Sequence, residues 1–196
     1  MKTAKEYRME SKAALKGHWG MAILLFLIYG ALISALGYTL IGSIIATGAL
    51  MVGISFAMMQ LFRRGGIELG DLFEGFRRCE LKSTIGLFVK TTVFTFLWSL
   101  LFVIPGIVAY YKYSMAPYIM ADHPEMTGGE AITASKNLMC GKKTKLFCLQ
   151  LSFIGWLLLC VITFGIAILW VGPWMSAAEA DFYESIKDEV PAKIEE

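Results

Sequence analysis

The stretch WGMAILLFLIYGALISALGYTLIGSIIATGALMVGISFAMMQLF, Trp19 to Phe62, contains no Asp, Glu, Lys or Arg. A soluble domain interleaves its apolar core positions with charge on the water-facing side of each element. A run this long without charge is instead written for lipid, where about 20 apolar residues cross a hydrocarbon core of roughly 30 Å. It is long enough to cross twice. Gly37-Tyr38 and Gly42-Ser43 divide it, which predicts one helix over 19–36 and a second over 41–62, closed by Arg63 and Arg64.

Two further apolar blocks follow. Thr84 to Ala121 carries Lys90 and Lys112, with Pro105-Gly106 at its middle. Proline removes a backbone donor and glycine admits unusual backbone, so a turn or kink is expected there, between helices at 84–104 and 106–121. Leu146 to Ala178 is again free of acidic and basic residues. As a single helix it would run to about 50 Å at 1.5 Å per residue, so it must tilt or break, and Thr163-Phe164-Gly165 is the expected break. The lysines of 142–145 and Glu179 extend its two short arms toward the interface. Composition agrees: the 196-residue chain is 57% hydrophobic and 17% charged, with mean hydropathy +0.61. A net charge of +2 gives no footing for nucleic acid. The basic segment Met1–Lys16 precedes an apolar run far longer than a signal-peptide core, so the first helix is expected to remain as an uncleaved anchor.

Basic residues set orientation. Lys2, Lys5, Arg8, Lys12 and Lys16 precede the first block. Arg63, Arg64, Arg77, Arg78 and Lys82 separate the first from the second, and Lys136, Lys142, Lys143 and Lys145 the second from the third. All three groups fall on one side only if every block is a hairpin. The expected fold is therefore all-α, a polytopic bundle of six membrane helices in three hairpins (19–62, 84–121, 146–178). Cytoplasmic segments lie at 1–18, 63–83 and 122–145, and an acidic tail at 179–196. Both termini are then cytoplasmic. The acidic tail carries little weight in this rule, so a single crossing by the third block stays open.

Each hairpin is followed by a helix-capping pattern: Asp71-Leu-Phe-Glu74, Thr127-Gly-Gly-Glu130 and Ser176-Ala-Ala-Glu179. This suggests a weak threefold repeat. The first polar segment reads as an interfacial amphipathic helix, with Leu69, Leu72, Phe73 and Phe76 on one face and Asp71, Glu74, Arg77 and Arg78 on the other. A weaker version spans 127–141, with Ala131, Ile132, Leu138 and Met139. Residues 3–16 are expected to be helical, with a basic face suited to anionic lipid.

Intramembrane charge is the usual pointer to function. Here it amounts to Lys90 and Lys112, the latter among Tyr110, Tyr111 and Tyr113. These five residues form the candidate polar site, weighed against simple snorkelling of both lysines. No Asp or Glu falls within an expected span. His18 and His123 make no metal site, and the four cysteines show no ligand spacing. Gly37, Gly42, Gly48 and Gly53 are expected to let helices approach within the molecule. No nucleophile elbow, phosphate loop or zinc motif occurs, so neither cofactor nor enzyme activity is expected.

Leu15-Lys-Gly-His-Trp-Gly20, Asp71-Leu-Phe-Glu-Gly-Phe76, Ile104-Pro-Gly-Ile107, Tyr113-Ser-Met-Ala116, Ala134-Ser-Lys-Asn-Leu-Met-Cys-Gly141 and Phe153-Ile-Gly-Trp156 stand in this order. As a set they resemble the bacterial multi-pass membrane family known as domain of unknown function 975. More distantly, the layout is similar to the membrane domain accompanying some glycerophosphodiester phosphodiesterases, without their catalytic domain. The resemblance implies a bacterial plasma-membrane location and no established catalytic residues. The expected role is a non-enzymatic module binding membrane lipid, a membrane protein partner or a second copy of itself, in envelope assembly or protection. Residues 1–16, 68–80 and 127–141 would form its contact face, with Leu69, Leu72, Phe73, Phe76, Arg77 and Arg78 as interfacial contacts. The alternative is a small transporter or lipid-handling protein with a cavity in the middle hairpin.

Overall fold

The computed structural model describes residues 2–36, 40–101, 103–163 and 165–189. Among them the regular structure is entirely helical. Helix α1 (Ala4–Ala14) turns through 98° into α2 (Trp19–Leu36), and α3 (Leu40–Arg64) returns beside it. The Gly37-Tyr38 turn lies outside the described residues, and Gly42-Ser43 falls inside α3 rather than at a break. After a short 3-10 turn (Leu69–Phe73) and α4 (Glu74–Arg77), α5 (Leu81–Leu101) and α6 (Val103–Tyr113) pair as a hairpin. Helix α7 (Ala116–Asp122) and α8 (Gly128–Leu138) follow. Then α9 (Lys143–Leu151), α10 (Ile154–Ile162) and α11 (Ile168–Glu184) close the chain on itself.

Helix α3 is the central post. It touches α2, α4, α5, α7 and α11. At about 1.5 Å per residue its 25 residues reach roughly 37 Å, and the 21 residues of α5 roughly 31 Å. Lys143–Ile162, which joins α9 and α10, is the one helix among the described residues long and apolar enough by itself to cross a membrane. The bent pair α1 and α2 passes the same test only if taken together.

The proline positions correct the expected second block. The block does divide into a hairpin, but between α5 and α6 at 101–103 rather than at Pro105-Gly106. Helix α6 begins at Val103, so Pro105 sits in a first turn whose N–H groups have no helical partner to lose. The helix expected over 106–121 is instead two. It stops at Tyr113, and α7 restarts with Pro117 in its first turn. In the third block the break falls as expected. Helix α10 ends at Ile162 and Gly165 takes φ 88°, a left-handed backbone that glycine adopts without strain.

Of the three capping patterns one stands. Thr127 Oγ1 accepts the Glu130 N–H at 3.4 Å, and Glu130 Oε2 accepts the Thr127 N–H at 2.6 Å, opening α8. That backbone bond, with the Thr127 hydroxyl, holds the Glu130 carboxyl below its ordinary range. Asp71 caps in the opposite sense, accepting the N–H of Glu68 at 3.0 Å. Ser176–Glu179 is no cap at all, because α11 runs through it to Glu184. A further match of the same kind, Thr3 with Glu6, opens α1.

The polar segments pack inward, contrary to the expected outward contact face. Leu72 is fully buried, and the 69–77 segment is a 3-10 turn and one helical turn rather than a surface helix. Phe73 is exposed, Leu69 and Phe76 lie half-buried against the core, Arg77 is solvent-facing, and Arg78 sits 4.7 Å over the Phe56 ring. On α8 the four apolar positions 131, 132, 138 and 139 are all buried, against α5, α6 and α7. Helix α1 buries Tyr7, Ser11 and Leu15 against α9 and α11. The Tyr7 hydroxyl meets Ser185 Oγ at 2.7 Å, Trp174 Nε1 donates to Arg8 O at 2.9 Å, and Lys2 Nζ pairs with Asp181 at 2.9 Å.

Two backbones meet without side chains between them. A methyl on Gly53 would lie 1.9 Å from Leu72 O, and one on Gly75 would lie 2.0 Å from Ala49 O. Gly53 therefore serves internal packing, as expected, by seating the 69–77 segment directly on α3, while Gly37 lies outside the described residues.

Candidate functional site

Between the hairpins lies a cavity of about 600 Å³. Helix α2 contributes Phe26 and Tyr29, and α3 contributes Gly48, Met51, Ile54 and Ser55. Helix α5 lays Leu87, Phe88, Thr91, Thr95 and Phe96 along one wall. Tyr110, Tyr113 and Ser114 face it from the end of α6, Pro117 and Tyr118 from α7, and Ser176 and Glu179 from α11. Because α6 stops at Tyr113 and α7 restarts at Ala116, the chain bends around the cavity here, which brings Tyr110, Tyr113 and Tyr118 to it from two helices. The bend follows from Pro117.

The walls grade from apolar to polar. Phe26, Met51, Leu87 and Phe96 present hydrocarbon. At the α6–α7–α11 side, hydroxyls gather around the Glu179 carboxylate. Gln150 Nε2 donates to Glu179 Oε1 at 2.7 Å, and the Tyr118 hydroxyl reaches Oε2 at 3.4 Å. Gln150 is fixed in turn by the Tyr111 hydroxyl, which donates to its Oε1 at 2.6 Å. This chain of side chains orients the carboxylate.

Several wall hydroxyls have already spent their protons. Ser55 Oγ donates to Met51 O at 3.0 Å, Thr91 Oγ1 to Leu87 O at 2.8 Å, and Ser114 Oγ to Tyr111 O at 3.1 Å. What these residues turn outward is lone pairs.

Beside the cavity an ion cluster ties α3, α7 and α11. Arg63 grips Asp122 through Nη1 to Oδ1 at 2.7 Å and Nη2 to Oδ2 at 3.0 Å, and its Nε reaches Glu184 at 2.6 Å. The Tyr183 hydroxyl donates to Asp122 at 3.2 Å, and its ring stacks on Tyr118 at 5.7 Å.

The residues singled out by sequence divide here. Tyr110 and Tyr113 line the cavity, and Tyr111 stands one step behind, holding Gln150. Lys90 is exposed, with Nζ beside the start of α8, 3.2 Å from where a Gly129 methyl would lie. Lys112 is half-buried, and its carbonyl accepts from Ser135 at 2.8 Å. Neither lysine lines the cavity. The polar groups that do matter, Glu179 and Gln150, were passed over. In the sequence Glu179 marks the end of the last span, and a boundary defined by charge cannot place a charged residue inside it. Gln150 is neutral and escaped a search for charge. The signal that finds Glu179 is helical spacing, since Ser176, Glu179 and Tyr183 share one face of α11.

A family model described as "Protein of unknown function (DUF975)" matches residues 86–190. The chain belongs to this family. No curated protein and no solved structure matches it, so the distant likeness to the phosphodiesterase-associated membrane domain rests on layout alone.

Proposed function

We propose that this chain is a multi-pass protein of the bacterial plasma membrane that holds an amphiphilic molecule in the cavity between its hairpins, without transforming it. The graded cavity carries this reading. At about 600 Å³ it falls within the ordinary size of a ligand site, and it joins an apolar end to a small set of oriented polar groups.

The outer surface supports the membrane. Leu100 is 74% exposed and Val161 75%, and Phe96, Leu97, Leu158, Ile162 and Ile166 also face outward. Soluble monomers rarely leave so much contiguous apolar surface to water. On this reading α1, the 69–77 segment, α8 and the ion cluster of Arg63 face the cytoplasm. Short arms such as α6, about 17 Å by its 11 residues, fit because α7 continues the path after the bend.

Native mass spectrometry tests the binding role. Wild-type protein released from mild detergent should retain a bound amphiphile, and Ser55→Phe, which fills the cavity from α3, should lose most of it. Equal retention by both would defeat the proposal. Orientation is checked with single-cysteine variants in intact cells. A membrane-impermeant maleimide should label a cysteine at Ile166 at once, and the native Cys140 only after permeabilisation; the reverse order would invert the topology.

A further inference from the structure

We infer that the cavity selects amphiphiles with a cationic head, an amine or quaternary ammonium, received by Glu179 within the tyrosine wall. This rests on the binding role proposed above and names the class of ligand. Three observations on one site carry it. First, Glu179 makes no ion pair with any described residue, although Lys2, Arg63, Arg64, Arg77, Arg78 and Lys187 all find carboxylates elsewhere. Its hydrogen bonds come from neutral groups, Gln150 and Tyr118, which orient the carboxylate without neutralising it. A part-buried carboxylate is costly unless it takes up a proton or a cation joins it.

Second, three of the wall hydroxyls meet a head group as acceptors rather than donors. Ser55, Thr91 and Ser114 give their protons to backbone carbonyls, so an anionic head would meet lone pairs beside a carboxylate. A cationic head would find attraction from each. Third, Tyr110, Tyr113, Tyr118 and Phe88 put aromatic rings into the lining, with the Tyr118 hydroxyl at Glu179 itself. Aromatic faces attract cations, and such rings recognise quaternary ammonium groups elsewhere in proteins. Carboxylate, turned-out lone pairs and aromatic faces all favour one sign of charge, while the Phe26–Phe96 end accepts the hydrocarbon body.

Tetraphenylphosphonium and tetraphenylborate are near-isosteric ions of opposite charge, which separates charge selection from fit. With the full chain in phosphatidylglycerol nanodiscs, equilibrium dialysis should show saturable binding of tetraphenylphosphonium, one per chain. Tetraphenylborate should bind at least tenfold more weakly. Glu179→Gln, which keeps the shape and the Gln150 contact, should weaken the cation at least tenfold and leave the anion unchanged. Binding of both ions with equal affinity, or an unaltered cation affinity in Glu179→Gln, would overturn charge selection while leaving the cavity reading standing. If neither ion binds, charge selection also fails; if in addition Ser55→Phe retains as much amphiphile as wild type, the cavity reading fails with it. Including phosphatidylethanolamine in the nanodisc separates two sources of the same chemistry. Displacement of tetraphenylphosphonium assigns the site to a lipid headgroup, and undiminished binding assigns it to a free lipophilic cation.

Discussion

Gly53→Val should prevent the 69–77 segment from seating and cost the folded protein more than any surface change. The added Cβ would lie 1.9 Å from Leu72 O, a backbone atom that cannot swing aside as a side-chain tip can. Either α3 and the segment separate or the segment detaches. Separation exposes Leu72, which is fully buried, and burying a leucine contributes about 1.5–3 kcal/mol by itself. Phe56 and Arg78 lose their stacked contact as well. A total loss of about 3–5 kcal/mol is expected, the range of severe core damage. Thermal denaturation in detergent, followed by tryptophan fluorescence, measures it. Gly75→Val attacks the same contact from the other side, 2.0 Å from Ala49 O, and should cost a similar amount. The double variant should be less than additive, because one detachment relieves both clashes. Full additivity, or a melting point within a degree or two of wild type, would show that the two backbones do not meet.

The second large effect is expected at Arg63. Removing it as Arg63→Met leaves Asp122 and Glu184 facing one another with no shared cation, at the junction of α3, α7 and α11. Breaking a buried ion pair from one side costs about 3–5 kcal/mol. These side chains are partly wet, at 28%, 20% and 16% exposure, so about 2–3 kcal/mol is expected. The pH dependence has a definite sign. Burial pushes the Asp122 carboxyl up, but the Arg63 hydrogen bonds and charge and the Tyr183 hydroxyl outweigh it, and the net shift is down. A group lowered on folding contributes stability above its unfolded value, near 3.9 for aspartate, and loses it as pH falls through its folded value. Wild type should therefore lose stability on acidification below about pH 4 more steeply than Arg63→Met. Parallel melting curves for the two across that window would refute the clasp.

How much of this was legible beforehand follows from what each signal measures. Absence of charge marked 19–62 as apolar helix, a long-range property of composition, and helix length with the local glycine located the break near Gly165. Absence of charge could not locate Glu179, since the same criterion had drawn the border there. Amphipathic spacing identified Leu72 and Ile132 as apolar faces but not what they face. Both turned out to lie against helices of this chain, since spacing reports an apolar stripe and is silent on whether lipid or protein covers it. Pro117 carried a readable stop before α7, yet it was overshadowed by Pro105, whose place in a first turn makes it harmless.

The seat of α1 has a consequence in time. Tyr7 and Ser185 are in contact across 178 positions of sequence. At translation rates of about 5–20 residues per second, roughly 9–36 s pass between the emergence of one and the other. Until α9 and then α11 follow, Tyr7 and the rest of the inward stripe of α1 lack the helices that cover them. The membrane surface is the natural holding place, and the basic positions Lys5, Arg8, Lys12 and Lys16 suit a temporary stay on anionic lipid. The earliest segment would thus be stored at the interface until α11 arrives, and the order of manufacture makes its docking the last step of assembly.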